Sequence, residues 1–211
     1  MGAEDKGPHA DEHAAWFVDA GETVYTLIGS LLTSEEPVNG THHHVLVGQG
    51  LTRPVQEKVV SLFEFFAIPR TESAAADWLD WSAAPSDLLE VFVERGILAR
   101  VDTASPLSAL RSLSGMRFAP EGFPVASDGD KADAYIGITR TPDGAAENRI
   151  TPELSQALWT PLGAGEIPET VRLIADRTRQ PIDLTARKVL GSAAELIEQG
   201  LIRLEWVNVS A

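Results

Sequence analysis

Apolar and turn-forming positions recur in the same order twice along the chain. The first stretch runs Leu27-Ile28-Gly29, Pro37-Val38, a turn at Asn39-Gly40, and an apolar run ending Val45-Leu46-Val47-Gly48. The second runs Leu113-Ser114-Gly115, Pro124-Val125, a turn at Asp128-Gly129, then Ala134-Tyr135-Ile136-Gly137. Asn-Gly and Asp-Gly favour the positive φ values a tight hairpin needs, so each stretch predicts a small antiparallel sheet. Helical spacing follows in both. Val55, Val59, Leu62, Phe63 and Phe66 build one apolar stripe on a helix beginning near Thr52. In the second copy Thr151 is a natural N-cap before Pro152, and Leu154, Leu158 and Leu162 carry the stripe.

Shorter helices are predicted around Ser73 to Trp81 and Pro168 to Thr178, with Trp78 and Trp81 packing a core. A third helix follows each, capped by Ser86 in one copy and by Asp183 in the other. Both end alike, in Glu94-Arg95-Gly96-Ile97-Leu98 and Glu198-Gln199-Gly200-Leu201-Ile202. The glycine supplies the left-handed cap, and returning strands are predicted at Ile97 to Val101 and Leu201 to Val209. The offset between copies grows from 86 residues at Gly29/Gly115 to 104 at Gly96/Gly200. Insertions in the second copy account for the growth, chiefly a loop from Arg140 to Asn148. The expected fold is α+β, with two tandem winged-helix-like modules of a small antiparallel sheet and three helices each. Their bounds are 1–20 for an acidic tail, 21–102, a linker at 103–112, and 113–211. The alternative is one larger α+β domain whose halves share common punctuation.

Charge changes the picture more than composition does. Hydrophobic residues make up 44% and charged residues 23%, ordinary for a globular protein and too apolar for disorder over most of the length. No apolar stretch approaches the ~18–20 residues that cross a bilayer. The polar, acidic start from Met1 to His13 lacks the pattern of a secretion signal, so a cytoplasmic location is expected. Cysteine is absent, which excludes disulfides and thiol chemistry. The net charge is −14, and it is uneven. Met1 to Asp102 holds 17 acidic and 6 basic residues, against 14 and 11 from Thr103 to Ala211. An acidic surface repels phosphate backbones, so the first half is a poor partner for nucleic acid or an anionic membrane, while the second stays open.

Strands, three helices and a closing strand reached through Gly follow the order of a winged helix. With the bulky helix ends Leu62-Phe63-Phe66 and Ala157-Leu158-Trp159, and the closing phrase Glu-Gln-Gly-Leu-Ile-Arg, the chain resembles the PqqD-like fold. That fold is the leader-peptide recognition element of ribosomally made peptide pathways. The resemblance spans roughly Glu22 to Asp102, and more loosely Leu113 to Trp206. It implies a non-catalytic binding protein that takes a peptide or protein segment as an added strand. Carried onto this chain, the accepting edge is His44, Val45, Leu46 and Val47. It faces a helix displaying Asp87, Glu90 and Glu94, which suit a cationic peptide or form an ordinary solvated face.

A winged helix also invites a DNA-binding regulator. Arg187 and Lys188 start the third helix of the second copy, with Arg172, Arg177 and Arg179 just before it. Surface pairing and helix-dipole complementation explain the same cations. His42, His43 and His44 form the conspicuous titratable cluster, but no motif places a third metal ligand. His9-Ala10-Asp11-Glu12-His13 matches an inverted zinc-peptidase signature in an unsuitable polar tail. Phosphate loops, dinucleotide glycines and a nucleophile elbow are missing. The expectation is therefore no enzyme, no cofactor and no metal.

Overall fold

A computed structural model describes residues 21–33, 44–48, 51–55, 59–82, 84, 87–120, 123–126, 135–141, 144–150 and 165–207. The first half contains β1 (Thr23–Leu27), β2 (Ser30–Thr33), β3 (His44–Gly48), β4 (Leu51–Val55), α1 (Val60–Phe66), β5 (Arg70–Thr71), α2 (Glu72–Ser82), α3 (Leu88–Glu94) and β6 (Leu98–Asp102). The second contains α4 (Pro106–Ser112), β7 (Met116–Pro120), β8 (Phe123–Ala126), β9 (Tyr135–Thr141), β10 (Gly144–Ile150), α5 (Ile167–Thr178), α6 (Ile182–Glu198) and β11 (Ile202–Trp206). The architecture is α+β.

Pairing repeats between the halves. The opening strand β1 lies antiparallel to the closing strand β6, and β7 lies likewise against β11. Each opening strand is followed by a three-stranded antiparallel meander, β2-β3-β4 or β8-β9-β10. Each ladder has five antiparallel pairs, so the two can be matched pair by pair. Thr23 opposite Asp102 answers to Met116 opposite Trp206, and Leu27 opposite Leu98 answers to Pro120 opposite Ile202. Gly115 immediately precedes β7 at φ 77°, whereas Gly29 follows β1 at φ 97°. The expected pairing of Gly29 with Gly115, at an offset of 86 residues, thus sets the end of one strand against the start of the other.

Three further expectations are corrected. Thr52 and Val55 belong to β4, and the helix starts at Val60, although Leu62, Phe63 and Phe66 do form its buried stripe. Arg140 to Asn148 is mostly a hairpin, since β9 and β10 pair from Gly144–Thr141 to Ile150–Tyr135. The linker at 103–112 contains α4, whose Ser105 cap accepts from the Ser108 amide at 3.1 Å and whose Pro106 suits the first turn. The Asn39-Gly40 and Asp128-Gly129 turns, the helix from Thr151, and the acidic tail lie outside the described residues. Helices α2 and α5 and the closing strands lie where the sequence predicts them.

Side chains alternate along β1 and β6, and both faces of the sheet β5-β1-β6 carry buried residues. Tyr25, Leu27 and Leu98 enter a cluster with Leu62, Phe63, Phe66, Leu89 and Phe92 of the first half. Trp78 packs there too, stacked on Phe65 with ring centroids 5.3 Å apart. On the other face Val24, Ala99 and Val101 join Leu110, Leu113, Val171, Ile174, Val189 and Leu190 of the second half. Each large side chain so withdrawn contributes about 1.5–3 kcal/mol. The seam continues where Gly29 donates to the Leu204 carbonyl at 2.7 Å.

Trp206 closes the junction. Its indole Nε1 donates to the Gly96 carbonyl at 3.1 Å, while the Val207 amide donates to the Gly115 carbonyl at 2.8 Å. Gly96 caps α3 at φ 64°, and a Cβ there would stand 3.1 Å from the indole nitrogen. Both backbone hand and space therefore call for glycine.

Candidate functional site

The strand expected to accept a peptide is not at an edge. His44, Val45, Leu46 and Val47 lie in β3, which pairs with β2 on one side (Leu31–Leu46) and with β4 on the other (Leu46–Arg53). A central strand offers no backbone row to an incoming chain, so strand addition at His44–Val47 is ruled out. Leu46 points into the core beside Leu89 and Phe92. Asp87, Glu90 and Glu94 are exposed and share about 60° of the α3 surface. They therefore look away from the cluster that Leu46 enters. Glu90 is engaged by Arg100 of β6 at 3.2 Å, an exposed pair.

The five cations of the DNA reading are all exposed but do not converge. On α5, Arg172 and Arg177 are separated by about 140° around the axis. Arg172 sits one turn from both Glu169 and Asp176, the spacing of surface ion pairing. Arg179 adopts a left-handed conformation at φ 55° to end α5, and Pro181 precedes α6. Arg187 and Lys188 share the outer face of α6 with Leu184, and Lys188 Nζ donates to Gln180 Oε1 at 3.1 Å.

A cleft lies at the junction of the halves. Its volume is about 330 Å³, and it is lined by Leu27, Gly29, Ser30 and Leu31 at the β1–β2 corner, Glu64 and Ala67 of α1, and Ile197, Gly200, Ile202 and Arg203 from α6 into β11. The walls mix aliphatic side chains, Leu27, Leu31, Ala67, Ile197 and Ile202, with polar groups of Ser30, Glu64 and Arg203. Among the described residues β2 is an outer strand of its sheet; its Ser30 and Leu31 line the cleft, and its Leu32, outside the lining, is 52% exposed. The two charges in the lining differ in kind. Glu64 is exposed and makes no ion pair among the described residues. Arg203 is clamped instead, its Nη2 and Nε donating to Glu205 Oε1 at 2.6 and 2.9 Å.

Glu205 anchors more than Arg203. Its second oxygen accepts from Arg117 Nη2 and Nε at 2.9 and 3.3 Å. Burial alone would push this carboxyl up, but the hydrogen bonds from Arg117 and Arg203 outweigh it and hold the carboxyl below the usual carboxylate range. Among the described residues no group of three or more His, Asp or Glu is arranged to hold a metal; His42, His43 and the His9–His13 motif lie outside them. No helix of the described residues is long and apolar enough to cross a membrane.

Sequence reasoning missed the cleft, since its walls come from positions as far apart as Leu31, Glu64 and Arg203. Compared with protein-family models, curated proteins and solved structures, the chain matches none.

Proposed function

We propose that this chain is a non-catalytic binding protein of two tandem winged-helix-like modules, and that it takes an extended polypeptide segment at the junction cleft, alongside β2. The observation that carries this reading is the cleft of about 330 Å³, of mixed aliphatic and polar lining, beside a strand that is outer among the described residues. An outer strand supplies main-chain affinity, and an adjoining pocket supplies side-chain selectivity. The excess of carboxylates in the first half, together with Glu64 on the cleft wall, favours a segment that carries Lys or Arg.

The test is selection of a random-peptide display library on the full chain. Enriched peptides should be basic and should bind Leu32→Pro and Glu64→Lys at least about tenfold more weakly, a loss of roughly 1.4 kcal/mol. Circular dichroism of both variants should be unchanged. Selection that enriches nothing, or peptides that bind both variants as well as the parent, would overturn the reading.

A second reading, a DNA-binding regulator, is favoured by one observation: α5, a short turn at Arg179–Pro181 and α6 form a helix-turn-helix running into β11. Arg187→Glu should then abolish duplex binding at low ionic strength. A parent chain that binds no duplex there removes this reading. Divergent cations and the net charge of −14 weigh toward polypeptide.

A further inference from the structure

The registers of the two opening and closing ladders match position for position, so each residue of the first sheet has a defined counterpart in the second. Val24 opposite Val101 corresponds to Arg117 opposite Glu205. Thr26 opposite Ala99 corresponds to Ala119 opposite Arg203. The first set forms the face through which the first half meets the second, with Val24 and Val101 at 0% exposure and Ala99 at 1%. The second set occupies the same face of the following unit. There the aliphatic residues are replaced by two arginines around one buried glutamate, and solvent reaches the arginines: side-chain exposures are 38% for Arg117, 25% for Arg203 and 10% for Glu205. On the opposite faces Tyr25 and Leu98 answer to Phe118 and Ile202, all buried, while buried Leu27 answers to exposed Pro120 and exposed Arg100 to buried Leu204.

We infer that the Arg117–Glu205–Arg203 face is the terminating counterpart of the internal junction, and that its charges stop a second copy of this chain from adding head to tail. A stack of like units grows by repeating one contact, and a contact that does not close on itself gives open-ended assemblies. Here the contact is used once, inside the chain. A second copy approaching the β7–β11 sheet as the second half approaches β1–β6 would have to strip water from a paired carboxylate and two guanidinium groups. It would gain no aliphatic surface in return. The first interface needs Val24, Ala99 and Val101, and the second sheet withholds each of them. This goes beyond the binding reading and is measured by self-association, not by peptide capture.

The test installs the first half's residues in the second: Arg117→Val, Arg203→Ala and Glu205→Val in the full chain. Sedimentation velocity should show the parent as a monomer at every concentration, and the triple variant with a sedimentation coefficient that climbs with concentration. Arg203→Ala alone keeps the Arg117–Glu205 pair and should stay monomeric. A folded triple variant that remains monomeric would overturn the inference, as would a parent that already assembles. If the triple variant does not fold, Arg117→Val with Glu205→Val is measured in its place and judged by the same outcomes. Loss of fold in both would also overturn the inference, because it would make the ion pairs a requirement of the half and not a replaceable surface.

Discussion

At one address of the first sheet two valines, Val24 and Val101, face each other without solvent; at the same address of the second sheet Arg117 and Glu205 form an ion pair. Local backbone geometry does not distinguish these positions, since both are antiparallel partners in a ladder of five pairs. What differs is the neighbour. The first sheet has α4 and α6 of the following half against it, and the second has water within reach. The lesson is that strand pairing sets where a side chain points, whereas the layer above decides whether it is apolar or charged.

Exchanging chemistry across that pair of addresses should cost most in one direction. Val101→Glu places a carboxylate at 0% exposure with no basic partner designed for it. Such burial is expected to cost about 4 kcal/mol or more, enough to unfold a marginal domain, as urea denaturation would show. The reverse site tolerates change better. Glu205→Gln keeps the shape and removes the charge, and loss of charge-assisted hydrogen bonds is worth about 1.5–3 kcal/mol. The same group gives a pH signature. Its carboxyl titrates lower in the folded chain than in the unfolded one, so its stabilisation is complete above the ordinary carboxylate range. That stabilisation is lost as pH falls through the folded value. Thermal melts of the parent should show the acid loss, and Glu205→Gln should flatten it. The smallest effect belongs to the exposed pair: Glu90→Gln breaks its contact with Arg100 and should change stability by about 0–1 kcal/mol. A larger change there than at Glu205 would refute the contrast between wet and half-buried ion pairs.

Much of this arrangement was legible in the chain, and the misses have physical causes. Gly96 and Gly200 end their helices and launch strands as expected, because a left-handed cap is a local requirement. The β4–α1 boundary was not legible: Val55 fits a strand that packs on the core and equally a helical stripe shared with Val59. Arg140 to Asn148 reads as a loop because Gly144, Ala145 and Asn148 have weak strand preference, yet pairing with β9 overrides it. Gly29 and Gly115 read alike in the chain, yet one follows its strand and the other precedes it, because a local glycine pattern does not say which end of a strand it marks. The ion-pair face and the cleft depend on contacts across roughly a hundred positions, and periodicity carries no information at that range.

The position of Trp206 in the chain has a consequence for synthesis. β6 is complete when Asp102 leaves the ribosome, but the indole that settles on Gly96 arrives about a hundred residues afterwards, some 5–20 s at roughly 5–20 residues per second. Throughout that interval the nascent polypeptide carries Val24, Ala99 and Val101 with their eventual cover still being translated. The window for aggregation or chaperone capture is thus written into the order of the gene product, and it shuts with the last strand.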